Sequence, residues 1–148
     1  MHPSMRGTRT TPSLRGAALL DALSTGKLNG DAMVALFLAA QTWLESGGAT
    51  SMERLLRLPA TGAQLKKATR NHWLRKAADA LDDPSPFKRA CHLERELNAF
   101  ITRGPWLTWR ESQHPPDGCS ELRRCLFYVA KFNDGEGLTD RTIYAAVK

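Results

Sequence analysis

Residues 85–105, SPFKRACHLERELNAFITRGP, contain every local signal of an α-helix. Ser85 is a preferred N-cap residue, and Pro86 suits the first helical position because that position needs no backbone N–H donor. Gly104 and Pro105 end the pattern. We therefore predict a helix from Pro86 to about Thr102, with its core side formed by Ala90, Leu93, Leu97, Phe100 and Ile101.

Similar start and stop signals divide the rest of the chain. They predict helices over residues 12–25, 32–46, 51–58, 62–81, 121–132 and 140–148, capped by Thr11, Asp31, Thr50 (in a capping box with Glu53), Thr61, Ser120 and Thr139. No segment alternates with the period of a strand. The prediction is an all-α fold, a compact bundle of about six to seven helices with no sheet. We expect residues 1–10 to form a mobile basic N-terminal arm and residues 11–148 to form a single helical domain.

Residues 32–40, AMVALFLAA, are the longest unbroken apolar run. As a helix they have no polar face, and such helices are usually surrounded by other helices. We therefore predict that this segment is the central core helix. Nine apolar residues are too few to cross a bilayer, so we expect no membrane partner.

The composition is that of a basic globular protein. The 148 residues include 21 Lys and Arg against 15 Asp and Glu, a formal charge of +6. Three cysteines (Cys91, Cys119, Cys125) cannot all pair within one chain, and no apolar signal-peptide core follows the first residues. A cytoplasmic location is therefore expected.

The positive charge is concentrated in residues 51–76, which hold seven basic residues against one acidic residue. Clustered cations attract polyanions, and an aromatic residue among them can stack on a base. The candidate nucleic-acid-binding residues in this segment are Arg54, Arg57, Lys66, Lys67, Arg70, Trp73, Arg75 and Lys76, with His72 as a second stacking candidate. The apolar stripe of the long helix changes sides after Leu65, which predicts a first half that is poorly packed or exposed and a second half that is docked. The alternative is a solvated helix face whose charges serve solubility.

Residues 137–146, GLTDRTIYAA, resemble the second half of a bacterial helix-turn-helix. Gly137, Leu138, Thr139 and Ile143 match the turn glycine, the apolar residue, the cap and the apolar anchor of that motif. The resemblance implies that Arg141, Thr142 and Tyr144 face a DNA groove. The connection to the preceding helix is about three residues longer than in the motif. The alternative is a terminal helix that packs Ile143 and Val147 on the bundle.

Two tryptophans, Trp106 and Trp109, form a candidate partner-binding patch beside Pro105. Tryptophan is enriched in the energetic centres of protein interfaces. The alternative is that both side chains fold back as a lid over the core.

We find no catalytic motif and expect no enzyme activity. His114, Cys119 and Cys125, with Cys91 and His92 nearby, lack the paired Cys-x-x-Cys spacing of structural zinc sites, so we expect no metal and no cofactor.

The sequence therefore predicts a small helical accessory protein that binds DNA or RNA through the basic surface of residues 54–76. Its size and lack of catalytic motifs suit a phage or another mobile element. The alternative is an interaction module, an adaptor or an inhibitor, that binds an acidic protein partner.

Overall fold

The computed structural model describes residues 16–59 and 61–148. Within these residues every regular element is a helix, and there is no strand. The eight helices are α1 (residues 16–25), α2 (Gly30–Glu45), α3 (Met52–Leu55), α4 (Gly62–Asp79), α5 (Pro86–Arg103), α6 (Trp106–Trp109), α7 (Glu121–Lys131) and α8 (Asp140–Val147). The predicted all-α class is confirmed, and α6 is the helix that the sequence prediction did not include.

The chain divides into two compact units at a boundary within α4. The N-terminal unit extends to Leu65 and the C-terminal unit covers Lys66–Lys148. A single domain over residues 11–148 stays a prediction. The predicted arm, residues 1–10, and the predicted cap at Thr11 lie outside the described residues.

The C-terminal unit is built around α5, which packs against α6, α7 and α8. Helices α5 and α8 run antiparallel: Phe87 near the start of α5 meets Tyr144 in the second half of α8, and the amide of Asp140 at the start of α8 donates to the carboxylate of Glu94 in the middle of α5. The fully buried core residues of this unit include Leu74, Ala77, Ala90, Leu93, Leu97, Cys125, Phe127, Val129 and Ile143. These residues therefore fix where the outward faces of α4, α5 and α8 lie.

Side-chain caps set most helix starts as predicted. The hydroxyls of Thr61, Ser85, Ser120 and Thr139 each accept a hydrogen bond from the backbone amide three residues on, at 3.1–3.3 Å. These hydrogen bonds confirm the four predicted caps. They form because an amide in the first turn of a helix has no backbone carbonyl of the same helix to bond.

Two cap predictions are wrong. Helix α2 is capped by Asn29, whose side chain accepts from the Ala32 amide at 2.7 Å, so Asp31 lies inside the first turn. Helix α3 begins after Ser51 without a side-chain cap bond, instead of in a capping box at Thr50. Asn and Asp are both preferred N-cap residues, so the sequence allows α2 to be capped at Asn29 or at Asp31. Helix boundaries that differ by two residues are not resolved by such local signals.

The prediction that residues 32–40 form the central core helix is also wrong. In α2 only Ala32, Ala35 and Ala39 are buried, and the core of the N-terminal unit pairs Ala32 and Ala35 with Leu19 and Ala22 of α1. Small residues at this spacing make a narrow stripe that allows close helix approach, and the larger side chains of α2 then point away from it. The apolar run is thus exposed on most of its circumference.

None of the described helices has the length and apolar character needed to traverse a bilayer.

Candidate nucleic-acid interface

The basic segment of residues 54–76 is shared between the two units. Arg54 and Arg57 are exposed residues of the N-terminal unit, whereas Lys66 and the cations that follow belong to the C-terminal unit.

Lys66 and Arg70, one turn apart on α4, are engaged by the turn that follows α7. The Lys66 ammonium forms an ion pair with Asp134, and the Arg70 guanidinium donates to Asn71 at 2.9 Å and to Asn133 at 3.4 Å. Partial burial lowers the pKa of Arg70. Lys66 and Arg70 are thus held by polar contacts and are half-buried, whereas Lys67 between them is exposed, so the expected poorly packed or exposed first half is wrong for Lys66 and Arg70.

Trp73 is a core residue, only 1 % exposed. Its ring stacks on Tyr128 with 4.5 Å between centroids, and the ammonium of Lys76 lies 5.0 Å from the ring. His72 is buried as well. Neither ring is accessible to a nucleic-acid base, and the stacking role predicted for Trp73 does not fit this fold.

Lys67 and Arg75 are the exposed cations of α4 in this unit. They are eight residues apart, slightly more than two turns, so they lie on nearby sides of the helix. The Arg75 Nε donates to the carbonyl of Ala146 at 3.0 Å, which places this guanidinium beside the last turn of α8.

Helix α8 presents a polar and aromatic outer face because its inner face is used for packing. Ile143 and Ala146 are buried, whereas Arg141, Tyr144 and Lys148 are exposed at i, i+3 and i+7 spacing. Two of the three predicted groove-facing residues therefore point outward.

Thr142 differs from Arg141 and Tyr144. Its side chain is half-buried. Its backbone amide donates to the Thr139 hydroxyl, and the hydroxyls of Thr139 and Thr142 are 3.1 Å apart. Its polar atoms thus serve the start of the helix.

The resemblance to a helix-turn-helix does not extend to the packing. Helices α7 and α8 are joined by residues 132–139, whereas the turn of that motif holds three to four residues. Helix α8 packs on α5, with Ile143 in the core, as the alternative interpretation expected.

Phe87, which the sequence analysis did not single out, is the aromatic neighbour of Tyr144. The ring centroids are 6.1 Å apart and the rings meet edge to face at 75°. Phe87 is 60 % exposed and Tyr144 38 %. The sequence signal that could have identified Phe87 is its position: it is an aromatic residue that lies outside the apolar stripe of Ala90, Leu93 and Leu97 in an otherwise regular amphipathic helix.

These residues, Arg75, Phe87, Arg141, Tyr144 and Lys148, define the α8 surface together with Lys88, the exposed cation that follows Phe87 on α5. Its four cations are exposed, and Lys88, Arg141 and Lys148 make no ion pair with any residue that the structure describes. Asp79, one turn beyond Arg75, is an exposed carboxylate at its margin. The surface thus combines unpaired positive charge with an accessible aromatic pair.

The tryptophans of α6 are partly buried against the core. Trp106 lies 5.6 Å from Phe127 and Trp109 lies 5.9 Å from Phe100, measured between ring centroids. Their rings anchor α6 as a lid, which is the alternative given above, and the exposed apolar side chain of this helix is Leu107.

No cluster of three or more metal-ligating side chains is present in residues 16–59 and 61–148. His92 instead bridges two carboxylates, with its Nδ1 at 2.7 Å from Asp83 and its Nε2 at 3.4 Å from Glu96. Cys91 and Cys119 are half-buried thiols, and Cys125 is buried in the core.

Comparison of the chain with protein-family models, with curated proteins and with solved structures finds no match. Inference about function therefore depends on the chain's own residues.

Proposed function

We propose that the protein binds nucleic acid, DNA or RNA, through the α8 surface. The observation that carries this proposal is the exposed ring pair of Phe87 and Tyr144, with Arg141, an exposed cation, one turn before Tyr144 on α8. Rings of this kind stack on bases of any sequence, and cations beside them contact the backbone phosphates. Three cysteines cannot all pair within one chain, which suits a reducing compartment, so the proposal includes a cytoplasmic location.

The arrangement favours a single strand over a duplex. In a duplex the base faces are already stacked, whereas an unpaired base can lie on an exposed tyrosine or phenylalanine. The connection before α8, residues 132–139, is also longer than the turn of a helix-turn-helix, which argues against insertion of α8 in a major groove. We expect tighter binding to single-stranded oligonucleotides than to the matching duplex.

The test is a fluorescence-anisotropy titration with labelled single-stranded DNA, RNA and duplex DNA at several salt concentrations. The affinity of the wild type should fall as salt rises, with a logarithmic slope of about −0.7 for each single-strand phosphate contacted. Four cations on the surface predict a slope of at most about −3.

Two charge reversals form a matched pair. Arg141→Glu should weaken binding at least about tenfold, because it removes a phosphate contact and adds repulsion. Arg123→Glu makes the same charge change at an exposed residue of α7 and should leave the affinity within about twofold. Both residues lie in the first turn of a helix, where a carboxylate is favourable, so both variants should stay folded.

A second pair separates stacking from charge. Tyr144→Ala should weaken single-strand binding by about 1–3 kcal/mol, whereas Tyr144→Phe keeps the ring and should bind like the wild type. Wild-type affinity in both Arg141→Glu and Tyr144→Ala would exclude the α8 surface. A wild-type protein that binds none of the oligonucleotides even at low salt would refute the proposed function itself.

The alternative function, an adaptor or inhibitor anchored to an acidic protein by Trp106 and Trp109, has less support in the geometry, because both rings pack on the core. It predicts that Tyr144→Ala leaves partner binding unchanged, and it is therefore separable from our proposal by the same variants.

A further inference from the structure

Helix α2 carries an exposed apolar seam opposite its buried alanines. Met33, Phe37, Ala40 and Leu44 follow one another at spacings of four, three and four residues and are all exposed. This is the spacing at which two helices pack side chains into each other's grooves in a coiled coil. The seam therefore has the geometry of a helix-pairing surface.

The exposed apolar area of α2 is large enough for a stable contact. Six large side chains on the seam or directly beside it (Met33, Val34, Leu36, Phe37, Trp43 and Leu44) are 37–73 % exposed. At ~200 Å² for a fully exposed large side chain, they offer on the order of 650 Å². Specific protein interfaces bury about 800 Å² on each partner, so α2 alone comes close to that area.

The charges on α2 disfavour an anionic membrane as the occupant. Asp31 and Glu45, near the two ends, are its ionisable residues, and the helix contains no Lys or Arg. Helices that lie on membranes usually carry cations on their polar face. The uncharged stretch between Asp31 and Glu45 fits a second apolar helix better.

We propose that α2 pairs with α2 of a second copy of this chain in an antiparallel, two-fold symmetric contact. When the seam is centred between Phe37 and Ala40, Phe37 faces Ala40 of the second copy and Met33 faces Leu44 of the second copy. Each layer then combines a large side chain with a smaller or flexible one. A parallel pair would place Phe37 against Phe37 of the second copy and Ala40 against Ala40 of the second copy, so one layer would hold two large side chains and the next layer two small ones.

The first test is sedimentation velocity of the full chain over a range of concentrations. The wild type should show a species of twice the 16.4 kDa chain mass. Phe37→Lys should raise the dissociation constant at least about a hundredfold, because the change occurs twice in a two-fold interface. Leu107→Lys, at an apolar residue that is 50 % exposed on α6, is the matched control and should stay dimeric. Unchanged far-UV circular dichroism shows that Phe37→Lys remains folded.

The second test fixes the orientation by mild oxidation. Met33→Cys/Leu44→Cys should form a covalent dimer, whereas each single variant and the wild type should not. Cross-linking of Met33→Cys alone shows a parallel pair and overturns the antiparallel arrangement. A wild type that is monomeric at every concentration overturns the proposal, and so does a monomer that binds phosphatidylcholine vesicles through Phe37. Because α2 lies outside the α8 surface, these results are independent of the oligonucleotide titrations.

Discussion

Replacing Trp73 by alanine should destabilise the C-terminal unit, because this ring is one of its largest buried side chains. The sequence alone suggested a base-stacking role, in which the same change would weaken nucleic-acid binding and spare stability. In the structure the ring stacks on Tyr128 and lies under the ammonium of Lys76. The two interpretations therefore predict opposite results for one variant.

The magnitude follows from the burial of the ring. Truncating a buried tryptophan to alanine costs about 3–5 kcal/mol, including the cavity that it leaves. The lost stack on Tyr128 contributes about 0.5–1.5 kcal/mol to that cost. Domains are stable by about 5–15 kcal/mol, so the variant should retain only part of its free energy of unfolding. For a urea slope of about 2 kcal/mol per molar, the midpoint should fall by about 2 M.

Urea denaturation followed by far-UV circular dichroism measures this shift without depending on tryptophan fluorescence. The control is Leu107→Ala, a truncation of a large apolar side chain that is 50 % exposed on α6 in the same unit, where we expect a loss of less than about 1 kcal/mol. Equal midpoints for wild type and Trp73→Ala, together with weaker oligonucleotide binding, would refute the core placement and restore the stacking interpretation.

Two further matched pairs of substitutions, assayed by thermal denaturation, test the residues at helix ends. Ser85→Ala should cost about 1 kcal/mol because it removes the cap bond to the Lys88 amide, whereas Ser51→Ala should have almost no effect because Ser51 makes no such bond; equal losses would contradict this. Gly104→Ala should be strongly destabilising, since its Cβ would lie 2.8 Å from the Cα of Phe100, whereas Gly62→Ala meets nothing within 4 Å and should be neutral or stabilising by up to about 1 kcal/mol. A Gly104→Ala protein as stable as the wild type would show that the α5 end relaxes freely.

Much of the secondary structure was predictable because its causes are local. The hydroxyls of Ser85, Ser120 and Thr139 bond amides three residues away, so each cap can be predicted from a few neighbouring residues. The core stripe of α5 is equally local, because Ala90, Leu93, Leu97 and Phe100 recur at the helical period, and all four are buried.

The candidate site was predictable only in part. Arg141 and Tyr144 point outward because Ile143 between them is the apolar anchor, which the helical period already implied. Phe87 joins them only through the antiparallel packing of α5 on α8, a contact across 57 residues of chain. The same kind of long-range contact engages Lys66 with Asp134, so a count of cations overestimates those available to a ligand.

The residues themselves thus determined that this protein is helical, where most of its helices begin, and that it carries excess positive charge, since these properties depend on neighbours along the chain. Tertiary packing decided which faces are covered. Apolar character says that a side chain gains free energy from burial, but whether it is buried depends on which helices are available to cover it. That is why Trp73, within the most basic segment, lies in the core, while Phe37, in the most apolar segment, faces outward.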